Sequence, residues 1–258
     1  MSTTADKQCN ICLTFDGPWT AEDVYPKWLR KWILQIMEAA NATPSDLPPL
    51  RPIRRPLWKP VCQTCQRTLN KMFEIPAKSL MLDLLEHAEL SLSPEQQIVI
   101  ASWLIKTDII FALYRKPPFA PLPEQIAFLR AQLVRMMQDG MPPPNATARI
   151  AAIKEGDVPA DTPRRFLPPE WPNPHISVVS SVSSLGTLVS ETVIGGKLSV
   201  VPYIEATQSD DRFVYMWPPQ LSDVHWPPSG RLSFYDVESL RDEWKQHPDN
   251  IIGGFFGF

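Results

Sequence analysis

The four cysteines most constrain what this chain can fold into. They form two Cys-x-x-Cys pairs, Cys9/Cys12 and Cys62/Cys65, separated by 49 residues. Two such pairs place four thiolates so that they can surround one zinc ion in a tetrahedron, and the metal neutralises charges that would otherwise repel. The alternative is four unliganded cysteines. A closed four-sulfur site has no open coordination position, so the pattern predicts a structural rather than a catalytic zinc.

Proline and hydrophobic periodicity divide the chain into four parts. The 29 prolines among 258 residues disfavour long uninterrupted helices and broad central sheets over much of the chain. We predict an α+β fold with a zinc-bound module over 1–75, a helical region over 76–140, a proline-rich linker or wrapping arm over 141–174, and a β-rich region over 175–258. Within these parts, helices are predicted after Pro26, from Thr64 to near Pro76, over 77–87, from Ser93 to about Arg115, and from about Pro123 to Gly140.

Two features of the last region refine this expectation. Gly195-Gly196 lies between two β-branched runs and is typical of a two-residue hairpin turn. A further strand is expected over 212–217.

Lys106 lies within the most apolar helix, where a lysine reaches the rim or pairs with an acid. Glu22 and Glu74 are expected to be solvated surface residues.

Positive charge is concentrated near the cysteines. Residues 24–73 hold nine Lys and Arg against two acidic residues, a balance of +7, although the whole chain is at −3. Six of these cations are candidates for contacting nucleic-acid phosphates: Arg51, Arg54, Arg55, Lys59, Arg67 and Lys71. Trp58 is available for base stacking. The alternative is a solvated face, since most charge runs are simply that.

Three segments together resemble a known family. They are Cys9-x-x-Cys12, the stretch Glu22-Asp23-Val24-Tyr25-Pro26-Lys27-Trp28-Leu29, and Val61-Cys62-x-x-Cys65-Gln66. This arrangement resembles the HNH endonuclease-like, treble-clef zinc proteins of bacteria and phages. Phe73-Glu74, the helix containing Trp103 to Lys106, and Trp217-Pro218-Pro219 also fit large members of that group. The resemblance implies a treble-clef fold around zinc and an ancestry in phosphodiester hydrolysis.

The chain departs from the family at both motif residues. The family's histidine, which activates water, falls on Asp23, and the asparagine that braces this turn falls on Gln66. A carboxylate can coordinate Mg²⁺ or another hard divalent ion, but an ordinary carboxylate is a much weaker base than imidazole at neutral pH. Thr20 to Asp23 also fits a capping box, although a helix starting at Pro26 places Asp23 just outside it.

These observations lead to two functional hypotheses. The first is an HNH-like zinc protein that binds DNA or RNA, with hydrolysis weakened or lost. The second is a non-catalytic module that uses the same scaffold to hold a protein partner. The phenylalanine-rich end, 251–258, is expected to dock on its own chain or on a second copy. The most apolar window, 98–114, is shorter than a membrane span and contains two charges, so we expect a cytoplasmic protein with no membrane segment.

Overall fold

The computed structural model describes residues 8–15, 17–23, 26–39, 56–86, 89–114, 123–152, 178–185, 188–195, 211–233 and 236. Three predicted features lie outside these residues: Arg51, Arg54 and Arg55; most of the proline-rich arm; and the C-terminal tail. The side chains of Trp58 and Lys59 are also outside the described set, although their backbone belongs to a strand.

The N-terminal part combines a two-stranded sheet with two helices. Its elements are β1 (Trp19–Asp23), α1 (Lys27–Ala39), β2 (Pro56–Cys62) and α2 (Gln63–Leu69). β1 and β2 are antiparallel, and a bulge interrupts their register between Ala21 and Asp23. α1 buries Leu29 and Trp32 and exposes Lys27 and Lys31. The amphipathic helix predicted after Pro26 is therefore present.

The helix predicted to end near Pro76 continues through it, so that prediction was wrong. α2 leads into one π-helical stretch (Asn70–Glu74) and then into α3 (Ile75–Leu85). The Ile75 N–H bonds five residues back, to the carbonyl of Asn70. This wider turn makes room for a proline, which has no N–H to donate and would otherwise press on the carbonyl four residues before it. The helical path therefore crosses the predicted boundary at 75/76.

α4 (Pro94–Tyr114) follows a short strand, β3 (Leu90–Leu92), and begins at the predicted capping box. Ser93 N–H donates to the Gln96 side chain at 2.8 Å, and Gln96 N–H donates to the Ser93 hydroxyl at 3.4 Å. Among the described residues only this helix is long and apolar enough to cross a membrane, and 83% of its apolar window is buried inside the protein. Such burial is typical of a central core helix.

α5 (Pro123–Asp139) packs beside α4 and ends at Gly140. Gly140 has φ +70°, which favours glycine because it lacks a Cβ, and its N–H bonds to the Met136 carbonyl at 2.8 Å. The predicted helix end is confirmed.

A four-stranded antiparallel sheet covers α4. It comprises β4 (Ala146–Ala152), β5 (Val178–Leu185), β6 (Leu188–Gly195) and β7 (Phe213–Trp217), in the order β5-β6-β4-β7. β8 (Val224–Trp226) pairs instead with β3. The expectation of a strand over 212–217 is confirmed. β5 and β6 pair with each other, Leu185 opposite Leu188, and the second half of the hairpin predicted at Gly195-Gly196 lies outside the described residues.

β4 corrects the expectation of a proline-rich arm over 141–174. The arm's first part contains this strand, which is buried and lies between β6 and β7. Its sequence, Ala-Thr-Ala-Arg-Ile-Ala-Ala, has no proline, and its small side chains allow a central strand to pack closely on α4. The flanking prolines concealed it, because they dominate the composition of the window without entering the strand.

One hydrophobic core extends from the cysteines to the sheet. It includes Cys9 and Cys62 at one end, Trp103 and Ile109 of α4 in the middle, and residues of the sheet at the other end. The mixed helix and strand content fits the predicted α+β class. α4 therefore packs against both the cysteine-bearing part and the sheet.

Candidate metal centre

The four cysteine sulfurs converge on one point. The ligand atoms of Cys9, Cys12, Cys62 and Cys65 all lie within 4.8 Å of one another, and the Sγ atoms of Cys12 and Cys62 are 3.7 Å apart. In a regular tetrahedron with metal–sulfur bonds of about 2.3 Å, the sulfurs are about 3.8 Å apart. The cluster can therefore hold one metal ion with little rearrangement. The convergence predicted from the two Cys-x-x-Cys pairs is confirmed.

Each cysteine pair is held by a different local device. The first lies on a tight turn in which the Leu13 N–H bonds to the Cys9 carbonyl at 3.0 Å and the Cys9 N–H bonds to the Thr14 carbonyl at 2.8 Å. The second lies where β2 meets α2. Cys62 occupies the N-cap of α2, and its sulfur accepts from the Cys65 N–H. The turn and the helix start thus bring together residues distant in sequence.

Backbone N–H groups point at the sulfurs. Cys9 Sγ accepts from the N–H of Ile11 at 3.4 Å and of Cys62 at 3.3 Å, and Cys62 Sγ accepts from Cys65 at 3.4 Å. Such donors withdraw charge from thiolates and fix their orientation toward a metal. The second of these bonds also links the two Cys-x-x-Cys pairs directly.

The thiols differ in how easily they ionise without a metal. Burial raises the pKa of Cys62 and of Cys65. Burial also opposes ionisation of Cys12, but hydrogen bonds from Thr14 and the neighbouring thiols outweigh it and lower the Cys12 pKa to about 7. Because a metal binds thiolates, its binding must release the protons that Cys62 and Cys65 would otherwise retain at neutral pH.

α5 braces the first cysteine turn from outside. Arg130 Nε donates to the Asn10 carbonyl at 2.7 Å, and the Asn10 side chain donates to the Pro60 carbonyl at 3.2 Å. These bonds connect the first turn to β2 and to the helical layer. The candidate metal centre is thus part of the common core.

Of the two candidate catalytic residues, Asp23 ends β1, and Gln66 lies on α2 and reaches the same end of that strand. Arg30 Nη2 donates to Asp23 Oδ2 at 2.7 Å, which ties α1 to the strand. Gln66 Nε2 donates to the Ala21 carbonyl at 3.3 Å, beside the bulge. Gln66 therefore links α2 to β1 at its bulge. The carboxylate of Asp23 forms an ion pair with the guanidinium of Arg30.

The described basic residues lie on exposed surfaces near β1. Arg67 on α2 and Lys71 on the π-helical stretch are exposed, as are Lys27 and Lys31 on α1. α2 is attached to β1 through Gln66, and α1 through Arg30. The other candidate cations, Arg51, Arg54, Arg55 and the side chain of Lys59, lie outside the described residues.

A buried ionic cluster lies behind β1, and it corrects the expectation that Glu22 and Glu74 are solvated. Glu22 is 8% exposed, Glu74 is 6% exposed and Lys106 is fully buried. Lys106 Nζ forms an ion pair with Glu74 Oε1, while Trp103 Nε1 donates to Glu74 Oε2 at 3.2 Å. The prediction that Lys106 pairs with an acid is confirmed. The two glutamates were expected to be exposed because the local sequence pattern does not show which residues the rest of the fold will cover.

Glu22 is the member of this cluster with a clearly perturbed acidity. Burial, together with the negative charges of Glu74 and Asp23, raises the pKa of Glu22 to about 7 against the opposing effects of the Lys106 charge and a hydrogen bond from Gln66. At neutral pH this carboxyl therefore holds its proton about half of the time.

Comparisons with known proteins found no match to this chain. No protein-family model, no curated protein and no solved structure matches this chain. The interpretation of the site therefore depends on its own geometry.

Proposed function

We propose that this chain is an HNH-like zinc-binding protein that binds nucleic acid through its N-terminal part, with phosphodiester hydrolysis weakened or lost. The observation that carries the proposal is the arrangement at β1. Cys62 of the four-cysteine centre pairs with Trp19 of β1, Asp23 at the end of this strand is already paired with arginine, and exposed cations lie on α1, on α2 and on the π-helical stretch that follows it. Zinc is the metal that four thiolates in a closed tetrahedral site favour.

The order of elements supports a treble-clef scaffold. A cysteine turn is followed by a β-hairpin-like pair, β1 and β2, and then by a helix whose first turn carries the second cysteine pair. α1 is inserted between the two strands. The ion so held would fasten the turn to the helix and serve folding, because all four positions are occupied by protein sulfur.

The Asp23–Arg30 pair supports weakened hydrolysis. A general base must reach the proton that it removes, and a metal-binding carboxylate needs free oxygen lone pairs. Arg30 occupies Asp23 Oδ2 at 2.7 Å with both side chains about one-fifth exposed. A Mg²⁺-dependent reaction at this position would therefore compete with the guanidinium.

A nuclease assay tests this part of the proposal. We expect weak or absent cleavage of DNA and RNA with Mg²⁺, Mn²⁺ or Ni²⁺. Asp23→His should raise cleavage, since it restores imidazole and frees the position from its ion pair with Arg30. Asp23→Ala is the matched control and should not gain activity. Strong cleavage by the unaltered protein that Asp23→Ala abolishes would show that the carboxylate itself is a competent base.

Binding is tested by salt dependence. The Arg67→Glu/Lys71→Glu variant should bind duplex DNA roughly tenfold more weakly or worse, and each lost phosphate contact should reduce the slope of log affinity against log salt by about 0.9. Arg135→Glu/Arg231→Glu is a control with the same change in net charge at exposed positions on other elements. Equal losses in both variants would indicate an effect of net charge alone, and binding independent of salt would argue against phosphate contacts.

One observation favours the second candidate function, a protein-interaction module. Leu13 and Phe15, directly after the first cysteine pair, are 43% and 62% exposed. Apolar side chains that project from a metal-braced turn form a rigid contact point for a partner. Loss of partner binding in Phe15→Ser, with unchanged DNA affinity, would support this function over the first.

A further inference from the structure

The buried cluster behind β1 contains two carboxylates and one ammonium group. Both oxygens of Glu74 are occupied by donors: Oε1 by Lys106 and Oε2 by Trp103. Hydrogen bonds from these two donors fix the orientation of the Glu74 carboxylate beside Lys106. Glu74 therefore takes the single buried cation as its partner. Glu22 receives a hydrogen bond from the neutral amide of Gln66.

The charges that face Glu22 do not compensate a second anion. Lys106 approaches from α4, Glu74 from the π-helical stretch and Asp23 from β1 itself, while α2 contributes the uncharged Gln66. Asp23 is in turn paired with Arg30 of α1. With Lys106 committed to Glu74, ionising Glu22 would place an uncompensated negative charge in the core, which is among the most costly changes a buried site can undergo.

We propose that Glu22 is a proton-operated latch, which keeps the bulged end of β1 packed in the core while it carries its proton and loosens this strand when the proton is lost. The latch requires no ligand. It depends on the mismatch of two buried carboxylates and one lysine, and on the position of Glu22 at the bulge between Ala21 and Asp23. This inference is independent of the proposed nucleic-acid binding.

The direction of the pH dependence follows from linkage. Glu22 is half protonated at about pH 7 in the folded protein, against an ordinary value of 4.5. The folded state thus binds more protons than the unfolded state between these values, so stability falls as pH rises through this window. The contribution of neutral Glu22 is complete below about pH 4.5 and is lost by about pH 8.

Loosening β1 would act on the rest of the N-terminal part. Asp23 terminates the strand, and β2, its partner, ends at Cys62. Gln66 spans from α2 to both Ala21 and Glu22. Loosening of the strand would therefore change the position of Asp23 first, because the bulge already interrupts the pairing of β1 with β2 at that point.

The test is the pH dependence of thermal unfolding for the full chain with saturating zinc. Glu22→Gln keeps the shape and is always neutral, so its unfolding midpoint should match the unaltered protein near pH 5 and exceed it by on the order of 5 °C or more at pH 8. Taking the difference between the two proteins cancels the titration of other groups, the cysteines included. Glu124→Gln, an exposed carboxylate on α5, is the control and should parallel the unaltered protein.

Two further measurements do not depend on the stability of a variant. The infrared difference spectrum of the unaltered protein between pH 6 and pH 8 should lose the C=O band of a protonated carboxylic acid, a band that Glu22→Gln lacks. Amide hydrogen exchange, corrected for its intrinsic pH dependence, should accelerate in β1 over the same range and remain constant in β4. Parallel pH profiles for Glu22→Gln and the unaltered protein, or a carboxylic-acid band that persists at pH 8, would overturn the latch.

Discussion

Replacing Cys62 with serine is expected to abolish the proposed zinc binding and to unfold the N-terminal part of the chain. Metal-binding free energy in such sites is largely folding free energy, about 10–16 kcal/mol for structural zinc in small modules. Serine is a good N-cap, so the introduced hydroxyl can still accept from the N–H of Cys65 at the start of α2. The loss of stability therefore measures the missing metal ligand rather than the cap.

The measurement is elemental analysis combined with thermal unfolding. The unaltered protein should contain about one zinc per chain and Cys62→Ser close to none. Thr64→Ser, a conservative change at an exposed position between the two cysteines, should keep both the metal and the midpoint. If chelation removes all metal from the unaltered protein without lowering its midpoint, the four cysteines are a packing cluster instead.

The four-cysteine cluster could be predicted from sequence because its signal is short-ranged. Each Cys-x-x-Cys pair carries its own geometry, in a tight turn or at a helix start, so only one long-range association had to be inferred. α4 was predictable for the same reason, since its capping box lies within four residues. The exposed face of α1 likewise follows from local periodicity.

Features that depend on tertiary contacts were missed. β4 reads as part of a proline-rich arm until its neighbours are known, because a strand of small residues shows no alternation when both faces are buried. Pro76 suggested a helix end, whereas the π-helical stretch before it absorbs the break. In both cases a long-range or irregular contact outweighed the local preference.

Only part of the ionic cluster could be predicted from the sequence. A lone lysine in an apolar helix reaches the rim or pairs with an acid, so Lys106 indicated an ion pair as one of two outcomes. It could not identify Glu74, which is 32 residues away, or show that Glu22 would be a second carboxylate on the same lysine. Only the packing of α4 against β1 and the π-helical stretch determines that.

Lys106→Met is expected to destabilise the protein by about 3–5 kcal/mol at pH 8, because removing one partner strands a buried charge. Methionine keeps most of the volume and apolar length of lysine, so the loss reports on charge rather than on a cavity. Glu74 would retain only the Trp103 N–H, beside a second carboxylate at Glu22. The deficit should shrink toward pH 5, where Glu22, whose pKa is raised by burial, carries its proton.

The double variant Lys106→Met/Glu74→Gln separates charge from packing. Glutamine still offers an oxygen to the Trp103 N–H and carries no charge, and replacing both members of a buried pair is often neutral. We therefore expect the double variant to recover most of the stability, as measured by denaturant midpoints in a double-mutant cycle. Lys78→Met, at an exposed position on α3, should stay within about 0.5 kcal/mol of the unaltered protein. A double variant as unstable as Lys106→Met alone would mean that the lysine stem, and not its charge, holds α4 against the N-terminal part.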